Sequence, residues 1–192
     1  MSPAAGPLRR RVLFPRPRRG GDDAARGQSL VEFALVLTPL MLLLLGIVQF
    51  GFIFNSYVTL ANASREAARS GTIYVYDRTL AKSVNDTARN NAIKTSMLTS
   101  MNGLVKTAPQ FATSGTWTST TSGTTTTYTN GDLVITYTLP SGVTDSDTRQ
   151  GWQITVRANY HQDLLIPFIS ALLPRDGGGR LVLTGQVTMV VN

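Results

Sequence analysis

A chain of 192 residues has room for one modest folded domain and its tails, because domains commonly contain about 100–150 residues. It contains no cysteine, which excludes structural disulfides, thiolate metal sites and cysteine nucleophiles. The net charge of +7 lies mostly in a tail, since residues 1–27 hold seven arginines and two aspartates while residues 28–192 hold 11 basic and 9 acidic residues. A basic tail before a nearly neutral remainder gives no reason to expect a nucleic-acid partner, and we expect none.

An uncharged apolar run follows the basic tail. Residues 33–54 are 22 residues without a charge, and only Thr38 and Gln49 have polar side chains. As a helix this run covers roughly 33 Å, which is enough to cross the hydrocarbon core of a bilayer. The preceding arginines place the N-terminus in the cytoplasm by the positive-inside bias. The sequence therefore predicts a single-pass membrane protein whose residues after Asn55 lie outside.

A cleaved secretory signal is the weaker interpretation of the same run. Such signals have an apolar core of about 7–15 residues and then a cleavage site between small residues. This run is longer, and its last residues include Phe50, Phe52 and Phe54. We therefore expect the apolar helix to stay in the membrane.

Glu32 stands at the cytoplasmic edge of the apolar run. A carboxylate there is costly unless it is protonated, paired or close to the interface, and by itself Glu32 is equally consistent with a residue of the headgroup layer. Residues 27–33, GQSLVEF, resemble the processing site of type IV prepilins and, more closely, of Flp-type prepilins and TadE-like pseudopilins. The resemblance implies that a prepilin peptidase cuts between Gly27 and Gln28, which makes Glu32 the fifth and Phe33 the sixth residue of the mature chain.

The resemblance extends over about residues 26–71, through the stretches FALVL, GIVQFG and NASREAARSG. It implies a TadE-like (TadE/TadG) minor pilin or pseudopilin of the tight-adherence (Flp, type IV-related) pilus system, held in the bacterial inner membrane or incorporated in a surface filament. The implied partners are the membrane, the prepilin peptidase, other pilin-like subunits and the pilus assembly machinery. In such assemblies Glu32 would pair with the new terminal amine of a neighbouring subunit, an attraction that is strong in a low-dielectric setting.

These features together predict an α+β, pilin-like fold, in which a long N-terminal transmembrane helix continues into an exterior helix packed on an antiparallel β-sheet. We expect a basic cytoplasmic leader at residues 1–27, a transmembrane helix at 28–54, its exterior continuation at 55–71, and an exterior α+β domain at 72–192. Pro39 should kink the helix, because proline removes one backbone hydrogen bond and crowds the preceding turn.

Periodicity predicts the elements of the exterior part. Small and apolar residues from Tyr57 to Gly71 recur at helical spacing, which favours packing on the protein's own domain over a contact with another subunit. A second helix is expected from Asp77, as its cap, to about residue 101. Its apolar stripe contains Leu80, Val84 and Ala88, and later Met97, Leu98 and Met101. Strict alternation predicts three strands, around residues 133–139, 152–160 and 181–191.

Two segments are open to more than one interpretation. Twelve of the 15 residues at 113–127 are Ser or Thr, which suits either a flexible or glycosylated loop or, as we prefer, an exposed hairpin. We expect the apolar connection at 164–173 to cover the core, with a patch that faces a partner as the alternative.

The search for chemistry gives no catalytic, metal-binding or cofactor-binding residues. His161 has Asp163 nearby, but no nucleophile motif, metal-binding motif or phosphate loop accompanies this pair. We therefore expect a structural or assembly protein and not an enzyme. The alternative is an uncleaved single-pass membrane protein whose exterior domain binds a ligand or has an unrecognised enzymatic role.

Overall fold

The computed structural model describes residues 21–106, 115–166, 171 and 173–192, and the side chains from Gly27 onward. The chain divides into two compact units, residues 1–43 and 44–192. Helix α1, Gly21–Thr72, begins in the first unit and ends in the second. Helix α2, Lys82–Met101, is followed by a 3-10 turn, Asn102–Lys106.

In the first unit the surface of α1 is apolar and open. The large apolar side chains between residues 30 and 43 that are exposed are Leu30, Val31, Phe33, Leu35, Val36, Leu40, Met41, Leu42 and Leu43. Among the described residues one helical stretch, Gly27–Thr72, is long and apolar enough to span a membrane, and none of its most apolar 18-residue window is buried. That exposure excludes the buried core helix of a water-soluble domain, which passes the same test of length and hydropathy.

Helix α1 continues through Pro39. Just before it, the Thr38 hydroxyl donates a hydrogen bond to the Ala34 carbonyl over 2.8 Å. A kink of the helix axis at Pro39 stays a prediction.

The second unit is built on a five-stranded antiparallel sheet in which each strand pairs with the next in chain order. The strands are β1 Thr118–Ser122, β2 Thr125–Asn130, β3 Leu133–Thr138, β4 Gln153–Gln162 and β5 Leu181–Val190. In β3 and β4 buried and more exposed residues alternate, as expected for a sheet with one covered face. The α+β class and the three predicted strands are confirmed.

The outer half of α1 covers this sheet. Leu60, Ala63 and Ala67 are fully buried, while Tyr57 is 51% exposed. At Gly185 of β5 an added Cβ would lie 2.5 Å from Ser64 Oγ and 2.9 Å from Leu60 Cγ, so the missing side chain lets α1 approach the strand closely. The small residues of α1 therefore pack on the protein's own domain, as predicted.

Helix α2 ends at Met101 and buries Met97 and Met101, as predicted, but its predicted start and the predicted apolar face of its first half are wrong. The residue before its first turn is Ala81, whereas the Asp77 carboxylate caps a separate turn by accepting hydrogen bonds from the amide and hydroxyl of Thr79. Leu80 and Val84 are about half exposed. The buried residues of α2 are Asn85, Asp86, Arg89, Asn90, Ile93, Met97 and Met101.

The serine- and threonine-rich segment forms the predicted hairpin over its described part. Strands β1 and β2 pair antiparallel around a turn at Gly123, which has a φ of 57°. Thr113 and Ser114 lie outside the described residues. In the apolar connection, residues 167–170 and 172 likewise lie outside them, while Leu165 is 70% exposed and so does not cover the core.

Candidate functional site

The residues of the proposed processing motif lie on one exposed stretch of α1. The Gln28 side-chain amide donates to Glu32 Oε1 over 3.0 Å, across one helical turn. Phe33 is 62% exposed. The Glu32 carboxylate is thus held by one neutral donor one turn before it on the helix and lies beside an apolar surface.

Gly27 has no packing role in this structure. An added Cβ would meet no heavy atom within 4 Å, apart from the local helix backbone and the adjacent residues. Gly51, farther along the same helix, is equally open. A requirement for glycine at residue 27 would therefore come from something outside the folded chain.

The second unit contains a buried ion pair that sequence reasoning missed. Arg149 Nε and Nη2 donate to the two carboxylate oxygens of Asp86, each over 2.9 Å, and both side chains are about 5% exposed or less. The Tyr128 hydroxyl also donates to Asp86, over 2.9 Å. This arrangement is the bidentate geometry that gives the strongest arginine–carboxylate contacts.

Aromatic rings surround the same cations. The Arg149 guanidinium lies 4.6 Å from the ring centroids of Tyr137 and Trp152, and that of Arg89 lies 5.1 Å from the ring of Tyr74. Arg89 Nη2 donates to the Thr148 carbonyl over 3.0 Å. Burial raises the pKa of Tyr137, so its hydroxyl stays protonated, and it donates to Asn90 Oδ1 over 2.7 Å. The cluster joins α2, the sheet and the loop before β4.

His161 lies between two carboxylates, neither of which is the expected Asp163. Its Nδ1 is 2.6 Å from Asp176 Oδ2, and its Nε2 is 3.2 Å from Asp132 Oδ1. Two acceptors on one ring favour the doubly protonated imidazolium. Burial and the nearby Arg180 oppose that charge, but the hydrogen bonds to Asp132 and Asp176 outweigh them and raise the pKa of His161 above 6.5.

Neither cluster has the form of a catalytic or metal site. Among the described residues, no group of three or more His, Cys, Asp or Glu side chains is placed to hold a metal ion. A cavity of about 580 Å³ lies beside the ion pair and is lined by Asp86, Tyr128, Arg149 and Trp152 together with threonine side chains. The carboxylate that borders this cavity already accepts three hydrogen bonds, so it is a poor candidate for a general base.

We expect Asp86→Ala to lower the free energy of unfolding by about 3–5 kcal/mol, because it leaves the Arg149 charge buried without a partner. Chemical denaturation of the full chain in detergent micelles measures this. Asp147→Ala is the matched control: Asp147 also pairs with a cation, Lys82, at 3.5 Å, but its side chain is 73% exposed, so the expected loss is about 0–1 kcal/mol. Equal effects of the two substitutions would contradict the assigned role of the buried pair.

We expect His161 to make folding stability depend on pH. Because its pKa is raised in the folded chain, its contribution is complete below the unfolded value of 6.5 and is lost as the pH rises through the folded value. The denaturation midpoints of the wild type and His161→Gln should therefore differ most in mildly acidic buffer and converge in alkaline buffer. A difference that does not change with pH would show that folding does not shift the pKa of His161.

Comparison with known proteins bears on the N-terminal part of the chain. The family model for TadE-like proteins matches residues 27–69. No curated protein and no solved structure gave a match to the chain. The matched stretch begins at Gly27 and contains Glu32, Phe33 and the whole apolar run, so the resemblance inferred from the sequence is confirmed. Residues 27–69 of this chain are therefore a TadE-like segment.

Proposed function

We propose that the chain is a minor pilin or pseudopilin with a structural or assembly role in a tight-adherence pilus or a related secretion system. The TadE-like segment at residues 27–69 supports a role in this pilus. The observation that carries the proposal is the exposed Glu32 carboxylate at the start of an apolar helix surface, one turn after the Gly27-Gln28 pair.

The positions of Gln28 and Glu32, one helical turn apart, give an electrostatic reason for two subunits to dock. Cleavage after Gly27 would create an α-amine at Gln28, four residues before the carboxylate. Both groups are costly next to lipid, so an amine of one subunit and Glu32 of another neutralise each other, which favours docking in a single register. Among the described residues, Glu32 contacts the Gln28 amide, which is neutral and does not balance the carboxylate charge.

The proposed location is the bacterial inner membrane, with the N-terminus in the cytoplasm. The seven arginines before Gln28 and the apolar, exposed surface of α1 support this orientation. The proposed partners are the prepilin peptidase, other pilin-like subunits and the assembly machinery. We propose no enzymatic role, because the ionic side chains of each polar cluster are hydrogen-bonded to partners within their own cluster.

The alternative is an uncleaved single-pass protein whose exterior domain binds a ligand. The 580 Å³ cavity beside Arg149 keeps this alternative open, since it has the size of a small-molecule site. Mass spectrometry of the protein extracted from membranes separates the two. A mature chain that starts at Gln28 supports the pilin role, and an intact leader in peptidase-competent cells supports the alternative.

We expect Gly27→Ala to block maturation, because the peptidase needs an open backbone before the cut, while the folded chain tolerates the added methyl group. The mass of the membrane-extracted protein reports the outcome. Gly51→Ala is the matched control, because Gly51 lies on the same helix with equally open surroundings, and it should mature normally. Normal processing of the Gly27→Ala chain would refute the cleavage assignment.

We expect Glu32→Ala to allow cleavage but to remove the subunit from its assembly. The terminal amine of the neighbouring subunit then has no carboxylate partner on the variant chain. Co-purification with the major pilin, compared between the wild type and the variant, measures the loss. Glu66→Ala is the control: Glu66 lies on the same helix but pairs with Arg69 on the exterior surface, at 2.9 Å. Unchanged co-purification of the Glu32→Ala chain would argue against the pairing model.

A further inference from the structure

After β4 the chain returns to α1 and follows it toward the membrane. The Ser56 hydroxyl donates to Gln162 Oε1 over 2.6 Å, and the Leu165 amide donates to Gln49 Oε1 over 2.9 Å. Ser56 is seven residues beyond Gln49 on the helix, so the segment moves about 10 Å along the α1 axis between these two bonds. The two bonds fix the direction of the segment as well as its position.

The second bond lies at the depth of the apolar run. Gln49 is five residues before Phe54, the last residue of the run, which is about 7.5 Å along a helix. A hydrocarbon core of about 30 Å takes about 20 helical residues, and 20 residues counted from Phe33 end at Phe52. The Leu165 amide therefore lies at the level of the outer edge of the hydrocarbon.

Gln49 would be costly at this depth if it faced lipid. It is only 1% exposed, and its side-chain oxygen accepts the Leu165 amide. The same bond satisfies a backbone donor at a level where water is scarce. The one strongly polar side chain in the outer part of the run is thus covered by the segment after β4.

The segment itself has the composition of a membrane-contacting loop. Residues 164–173 contain no charge, and charged residues, Asp163 and Arg175, flank them. The Leu165 side chain is 70% exposed and lines the same cavity as Phe52 of α1, which is 50% exposed. An apolar surface that continues from a membrane helix onto the adjacent loop fits lipid as its neighbour.

We propose that residues 164–166 insert their apolar side chains into the outer leaflet of the membrane that α1 spans. This second contact holds the exterior domain directly on the bilayer surface. It fixes the height of the domain, because the Gln49 and Ser56 bonds tie the loop to one level of α1. The inference rests on the membrane-spanning assignment of α1 and is independent of the pilin role.

The absence of cysteine makes a direct test possible. Leu165→Cys gives a single attachment site for a nitroxide on the full chain, reconstituted in nanodiscs of phosphatidylethanolamine and phosphatidylglycerol. Electron paramagnetic resonance then compares collisions of the label with oxygen, which concentrates in lipid, and with a water-soluble nickel chelate. We expect the label at residue 165 to collide readily with oxygen and several-fold less with nickel than a water-exposed label.

Two further single-cysteine chains calibrate the measurement. Val182→Cys, on β5, is 39% exposed and should report water, whereas Val36→Cys, 64% exposed on the apolar helix, should report lipid. A label at residue 165 that behaves like the one at 182 overturns the proposal. Exclusion of both reagents at residue 165 also overturns it, because that result means protein contact. A label at residue 36 that reports water would instead refute the membrane span.

A second variant tests the link to α1. Gln49→Leu removes the acceptor of the Leu165 amide, so nickel collisions at residue 165 should rise several-fold as the segment leaves the helix. Asn55→Leu is the matched control, because it replaces an exposed amide on the same helix by the same side chain, and it should leave the collisions unchanged. Equal results for the two variants would show that the hydrogen bond does not hold the loop at this depth.

Discussion

One helix has to suit two different surroundings, and the rest of the fold follows from how it does so. Over residues 30–43 the large side chains of α1 point outward, as lipid requires, while Leu60, Ala63 and Ala67 are fully enclosed by the sheet. Large apolar side chains suit the lipid-facing part of the helix, because they match the apolar interior of the bilayer. Small side chains suit the part that packs on the sheet, because they let the helix lie close to the strands.

The second unit combines this small-residue contact with a buried polar cluster, whose charges are costly to desolvate and whose partners must meet in a specific geometry. A buried arginine–carboxylate pair contributes little net stability over an apolar replacement, but each partner depends strongly on the other. Here Asp86 of α2 meets Arg149 from the loop before β4, and Tyr128 of β2 joins them. Three parts of the chain are therefore fixed relative to one another by a contact that has only one satisfactory geometry.

The extent to which the sequence predicted this structure depends on how local each signal is. The alternation in β3 and β4 and the Asn130-Gly131 turn are properties of neighbouring residues, and all of them were found. The buried polar residues in the first half of α2 were not predicted, because Arg149, the partner of Asp86, is 63 residues away and no apolar pattern marks a salt bridge. Val84 is exposed and Asp86 is buried, which reverses the usual burial of apolar side chains and exposure of charged ones. Apolar periodicity alone does not reveal such a reversal.

The same distinction holds for the candidate sites. The motif around Glu32 was recognisable because its information lies within seven consecutive residues, and the TadE-like match covers it. For His161 the sequence suggested Asp163, whereas the fold supplies Asp132 and Asp176 from the β2–β3 turn and the loop before β5. A signal for that arrangement would have been two acidic residues placed in turns next to the ends of adjacent strands.

The close approach at Gly185 has a mechanical consequence. Ser64 and Leu60 both occupy space that a side chain at residue 185 would need, so the helix is seated in a notch of the sheet. A pull along the helix axis would have to drive the Leu60 side chain against the β5 backbone before the two elements slide. Tension applied to the membrane end of α1 is thus resisted by steric blocking as well as by the attraction between the packed surfaces.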